Sequence, residues 1–137
     1  MSDALLLVLH VAYLFVPAGL VVSGLAALIP ETIPPIAGIH LFGVGAVGAM
    51  TLAVMARATL GHTGRPLRAG PATTLIFCAV VLATPLRFAA ALMPAQVWLL
   101  HASATLWIMA FLGFAACYAG ALTRPRVAQR QPGRAPA

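Results

Sequence analysis

The stretch LGHTGRPLRAGP, residues 60–71, breaks an otherwise apolar chain with a histidine, two arginines, three glycines and two prolines. Its reading decides the fold, because a long apolar run lies on each side of it. A helix that crosses a bilayer needs ~20 predominantly apolar residues. Residues 36–60 and 71–93 both meet that length, as do residues 4–29 and 95–122 further out. PETIPP, residues 30–35, separates the first run from the second, and Met93-Pro94 turns the third into the fourth. Proline lacks an N–H and glycine favours turns, so these are breaks between helices. The pattern predicts an all-α integral membrane protein with four transmembrane helices in an up-down bundle. Residues 1–122 form the membrane domain. The remainder, TRPRVAQRQPGRAPA at residues 123–137, predicts a basic, disordered tail.

Composition agrees. The chain has 137 residues, 62% hydrophobic and 7% charged, where a soluble domain carries roughly 25% charged residues. Eight arginines, no lysine and two acids give a net charge of +6. Such a balance in a soluble protein would point to nucleic acid. Here the arginines flank apolar runs, which argues for a membrane surface and against nucleic acid. Cys78 and Cys117 sit singly in apolar runs, with no CxxC, so no disulfide framework is expected. Both read as buried small residues. The first residues lack a basic n-region and carry Asp3, unlike an ordinary signal peptide.

Arginine placement predicts orientation. Four helices put the N-terminus, the 61–70 loop and the tail on one side. Arg57, Arg65, Arg68, Arg124, Arg126, Arg130 and Arg134 belong to that side, and Glu31 to the other. Positive residues stay in the cytoplasm, so both termini are expected there, in a multi-pass protein of the bacterial inner membrane. Gly61 is the expected C-cap of the second helix, followed by His62 and Arg65 at the negative end of its dipole.

The run HLFGVGAVGAMTLAVMARATLGHTGRPL, residues 40–67, resembles the most characteristic segment of the NnrS family. LLLVLHVAYLFVPAGL, PLRFAAAL and LTRPRV are also similar to the C-terminal part of that family, so the likeness covers nearly the whole chain. Family members have about twelve helices by the usual window reading, and this chain resembles the last third. The resemblance implies a bacterial membrane protein linked to nitric oxide metabolism or denitrification, associated with haem and copper.

Ionisable residues inside the membrane are costly and mark function by default. His40 lies ~6 Å inside its end of the second helix, and Arg87 and His101 each ~9 Å inside the same side. In an up-down bundle the second and fourth helices are diagonal and run in the same direction. His40 and His101 are therefore candidates for the axial pair of a haem b, with Arg87 beside a propionate. Met93, at that end, is a soft ligand that suits copper together with histidine. The bland alternative is a hydrogen-bond network, in which the histidines bond backbone carbonyls or Thr105 and Arg87 snorkels to headgroups.

On the opposite side His10 lies ~9 Å deep, with Cys78 and Cys117 at about 10 and 8 Å. They are a weaker copper candidate, with Tyr13 as an alternative partner of His10. Gly43, Gly45, Gly48, Ala49 and Ala53 predict close helix packing. Pro17 and Pro85 predict kinks, and Pro85 leaves the Val81 carbonyl without its usual donor.

The resulting expectation is an NnrS-like haem- and copper-associated membrane protein. The alternatives are a small b-type cytochrome that passes electrons to a partner, or a cofactor-free transport or scaffold segment. No aspartate lies in a span and the one glutamate is in a loop, so hydrolysis is not expected. Polar faces on four helices predict self-association or a partner membrane subunit.

Overall fold

The computed structural model describes residues 4–123. Among these there is no strand. The chain forms α1 (Ala4–Leu28), α2 (Ile36–His62), α3 (Pro71–Leu92) and α4 (Val97–Thr123), each long and apolar enough to cross a membrane. The basic tail expected after residue 123 lies outside the described residues.

One core fixes the topology. Leu5 and Val8 of α1, Leu52 and Ala56 of α2, Ile76 and Phe77 of α3, and Phe114 and Tyr118 of α4 belong to the same buried cluster. So α1 begins, α2 ends, α3 begins and α4 ends at one end of the molecule, which is an up-down bundle. That end carries residues 63–70 and is called the basic end. The other, with residues 29–35 and 93–96, is the far end.

Small side chains fill much of the interior beside the large ones of that cluster. Ala12, Ala26, Ala37, Ala49, Ala53, Ala56, Ala83 and Ala110 are buried, while Leu14, Leu28, Leu75, Met109 and Leu112 point outward. Lipid tails are as apolar as leucine, so hiding a leucine from them gains little. Close backbone approach gains dispersion contacts instead. α2 is the hub, packed on α1, α3 and α4. α1 and α2 form the most extensive pair, α3 and α4 the next, and α4 meets α2 mainly along residues 50–62.

Two polar contacts tie α3 to α4. The Thr73 and Tyr118 hydroxyls are 3.0 Å apart near the basic end. Nearer the far end, Ser103 Oγ donates to the Ala83 carbonyl at 2.8 Å. Pro17 and Pro85 both lie inside continuous helices. Side-chain donors near Pro85 reach neighbours of the expected Val81 carbonyl: Thr84 Oγ1 donates to Val80 O at 3.2 Å, and Ser103 to Ala83.

The middle of α2 departs from the α-helix. Leu41–Ala49 is π-helical. Ala37, Leu41, Gly45 and Ala49 are all buried, each four residues apart. In an α-helix of 3.6 residues per turn, each step of four overshoots by about 40°, and the stripe would wind off the core face. The wider turn of a π segment, with its i→i+5 bonds, reduces that drift. Glycine fills the tightest point of the π segment. A Cβ on Gly45 would stand 2.7 Å from Phe15 Cγ and from Thr84 Cγ2.

The end of α2 corrects an expectation. Gly61 is helical, and the helix runs on through His62. Gly64 takes the left-handed conformation, with φ 71°. Arg65 N donates to Leu60 O at 2.9 Å and Gly64 N to Gly61 O at 3.2 Å, the pairing of a Schellman motif. Thr63 Oγ1 adds a bond to Thr59 O at 2.6 Å. The motif needs one residue with positive φ, and GHTG offers two glycines, three residues apart. The one left outside the hydrogen-bonded helix takes the role.

Candidate functional site

His40 ends the short α-helical start of α2, just before the π segment, and is half-buried. Arg87 is half-buried in the last part of α3. Both line one cleft of about 240 Å³ at the far end, together with Ala90, Ala91, Pro94, Gln96, Val97 and Leu100. The cleft follows from the packing. α4 holds to α2 along residues 50–62 and not comparably along the outer part. Besides Arg87, the α3 wall offers only the methyls of Ala90 and Ala91 to fill the space. Gln96 is oriented by Trp98, whose Nε1 donates to Gln96 Oε1 at 3.1 Å.

The cleft is cationic. No carboxylate lines it. Arg87 has no ion pair or hydrogen-bonded partner among the described residues. A guanidinium held this way within a span favours an anionic group beside it.

The other candidates are dispersed. His101 is exposed. It lies one residue past Leu100, about 100° further round α4. The side of α4 that packs inward carries Leu99, Ser103, Ala110, Phe114 and Tyr118, and His101 points away from it. Within one chain, His40 meets Arg87 but does not face His101 across a core. Met93 is exposed and does not line the cleft.

His10 is exposed near the basic end, where its Nδ1 donates to Leu6 O at 2.8 Å. That bond leaves Nε2 as the free nitrogen. Tyr13, exposed on the same helix, is not its partner. Cys78 and Cys117 are exposed as well, contrary to the burial expected for them. Thiols are apolar enough to face lipid. Among the described residues no three His, Cys, Asp or Glu side chains gather as metal ligands would.

Three features lay beyond the sequence reading. Gln96 is the one side-chain amide between residues 4 and 123, and that rarity was its signal. Ser103 and Thr84 are completely or almost completely buried, but small hydroxyls in apolar runs carry no mark of which face they occupy. The π segment had a trace in the spacing of four between small residues.

A family model described as NnrS protein matches residues 1–126. The chain belongs to the NnrS family. No curated protein and no solved structure matches it. The far-end cleft of this NnrS chain draws on the same run, residues 40–67, whose order first suggested the family. His40 opens that run, and the π segment follows directly.

Proposed function

We propose that this chain is a haem-associated membrane protein of the nitric oxide response or of denitrification, placed in the bacterial inner membrane. One observation carries the reading: His40 and Arg87, two costly groups within the spans, converge on one cleft with no acid to neutralise them. Family membership supports it.

The residues present fit one face of a haem b. His40 offers an imidazole as axial ligand and Arg87 a charged partner for a propionate. At about 240 Å³, the cleft is below the ~300–1,000 Å³ of sites that enclose a ligand of drug size. It holds an edge, so a second wall comes from another chain, either a further copy or a partner subunit. His101, exposed on α4, would help hold the haem from the side of such a neighbour. A haem bound there supplies redox and ligand-binding chemistry at its iron. The chain's part is to hold it, set the dielectric and balance its charge.

Copper fits less well. Of the donors considered for it, His40, His101, His10 and Met93, no two line the far-end cleft together. His10 and Met93 lie at opposite ends of the bundle, so a single chain does not assemble a copper centre from them.

Absorption spectra and metal analysis of the purified protein, with added haem, test the reading. His40→Ala and His101→Ala are each expected to abolish a six-coordinate haem signal, and His62→Ala to leave it. Arg87→Leu is expected to keep haem but weaken its retention. If both far-end histidine variants keep the wild-type spectrum, the assignment fails and His40 is structural. Orientation has its own test. A Thr63→Cys variant is expected to react with an impermeant thiol reagent from the cytoplasmic side only, and periplasmic labelling would reverse the topology.

A further inference from the structure

A second cleft lies at the basic end, outside the haem reading. Its volume is about 370 Å³, and it is lined by Val54, Arg57, Ala58, Gly61, His62 and Leu67. The Schellman turn at Gly64 reverses the chain and folds Leu67 back over the last turn of α2. A Cβ on Gly61 would stand 3.9 Å from Leu67 Cδ2. The result has two characters along its length. Val54, Ala58 and Leu67 make an apolar wall, and Val54 and Leu67 are about half exposed, at 51% and 44%. Arg57 makes the mouth cationic, and His62 adds an imidazole N–H beside it.

That charge has no internal partner. Arg57 and His62 have neither hydrogen-bonded nor ion-paired partners among the described residues. Next to them, Arg65 Nη1 is buried without an acceptor. The chain has two acids. Glu31 is at the far end, and Asp3 lies outside the described residues. A cationic groove at the end of a membrane helix, open along an apolar wall, matches one ligand chemistry: a phosphate with an acyl chain attached. We propose that this groove is a binding site for one anionic phospholipid, with its headgroup phosphate at Arg57 and His62 and an acyl chain along Val54. Charge complementarity selects it, and the apolar wall distinguishes it from a site for a free anion. A zwitterionic lipid offers the same phosphate but brings its own cation, which Arg57 repels.

Native mass spectrometry of the protein, released from nanodiscs of equal parts phosphatidylglycerol and phosphatidylcholine, tests this. An arginine near a membrane surface is worth ~1 kcal/mol, so Arg57 gives about a fivefold preference for phosphatidylglycerol, and His62 adds a hydrogen bond to the phosphate. Arg57→Gln combined with His62→Gln is expected to reduce it to about twofold or less. Arg57→Lys, which keeps the charge, is expected to retain most of it. Thermal unfolding in phosphatidylcholine alone establishes that each variant is folded. Should the double variant fail this check, Arg57→Gln alone replaces it and is expected to lose most of the roughly fivefold preference. An unchanged preference in folded variants overturns the site, because the lipid is then held by the general surface. Displacement of phosphatidylglycerol by millimolar inorganic phosphate also overturns it, in favour of a free-anion site.

Discussion

The two halves of the bundle are held together differently. In the basic-end half the contacts are bulky: Leu5, Leu52, Phe77, Phe114 and Tyr118 close around one another, with the Phe114 and Tyr118 rings stacked at 4.6 Å. In the far half the contacts are small: Gly38 against Ser23, Gly45 against Phe15 and Thr84, Gly19 against Phe42. Bulk closes a bundle uniformly. Close approach at a few glycines joins some helices and leaves others apart, which creates the cleft that holds His40 and Arg87. The end that carries this candidate cleft is therefore the end without a large-residue core.

The strongest test of this contrast is a truncation at the centre of the basic half. Phe77→Ala is expected to cost about 3 kcal/mol, the low end of the range for such changes in soluble proteins, since lipid also solvates the exposed ring. Reversible unfolding in mixed micelles measures it. Leu100→Ala, on the cleft wall, is expected to stay within about 0.5 kcal/mol. Equal costs would mean that the far half has a core of its own.

The reverse substitution sharpens the far half. Gly45→Val drives a branched side chain into Phe15 and Thr84 and is expected to destabilise by about 1–3 kcal/mol. Gly24→Val is the control, since nothing lies within 4 Å of a Cβ there. It is expected to change stability by less than about 0.5 kcal/mol. A tolerated Gly45→Val would show that α1, α2 and α3 can separate at that point, and the close-approach account would fail.

These contrasts define what the sequence carried. The spans were legible because hydrocarbon thickness sets a length and proline and glycine mark the breaks. The expected range for α3, residues 71–93, ends one residue beyond the observed helix. Which face of each helix points inward was not legible. In water the apolar face is the buried one, but here every face is apolar and the code is residue size. Thus His40 and Arg87 were found by their cost in hydrocarbon, whereas the outward turn of His101 required the rotation of α4. Cys78 and Cys117 failed for the same reason: an apolar run says that a thiol is away from water, not that it is away from lipid. Gly61 was the expected end of α2, and the hydrogen bonds beyond Leu60 give that role to Gly64.

The finest comparison lies in the two hydroxyl contacts between α3 and α4, one in each half. Interhelical hydrogen bonds in membranes average about 0.6 kcal/mol, because hydroxyls in a separated helix bond their own backbone. At the basic end that relief is at hand. Once Tyr118→Phe removes its partner, Thr73 Oγ1 can turn to a carbonyl one turn earlier, as Thr74 Oγ1 does to Gly70 O at 3.2 Å. The expected cost is a few tenths of a kcal/mol, with the Phe114 stack retained. In the far half Ser103 is buried against the Ala83 carbonyl, in the turn that leads into Pro85 and Arg87. Ser103→Ala removes the strongest polar tie between α4 and the helix that carries Arg87, and large side chains do not take over its role. It is expected to cost about 1 kcal/mol and to raise amide exchange around residues 83–87. Hydrogen exchange on both variants separates the cases. Local opening confined to Ser103→Ala supports a far half held by few contacts, and equal opening in Tyr118→Phe would erase the distinction between the halves.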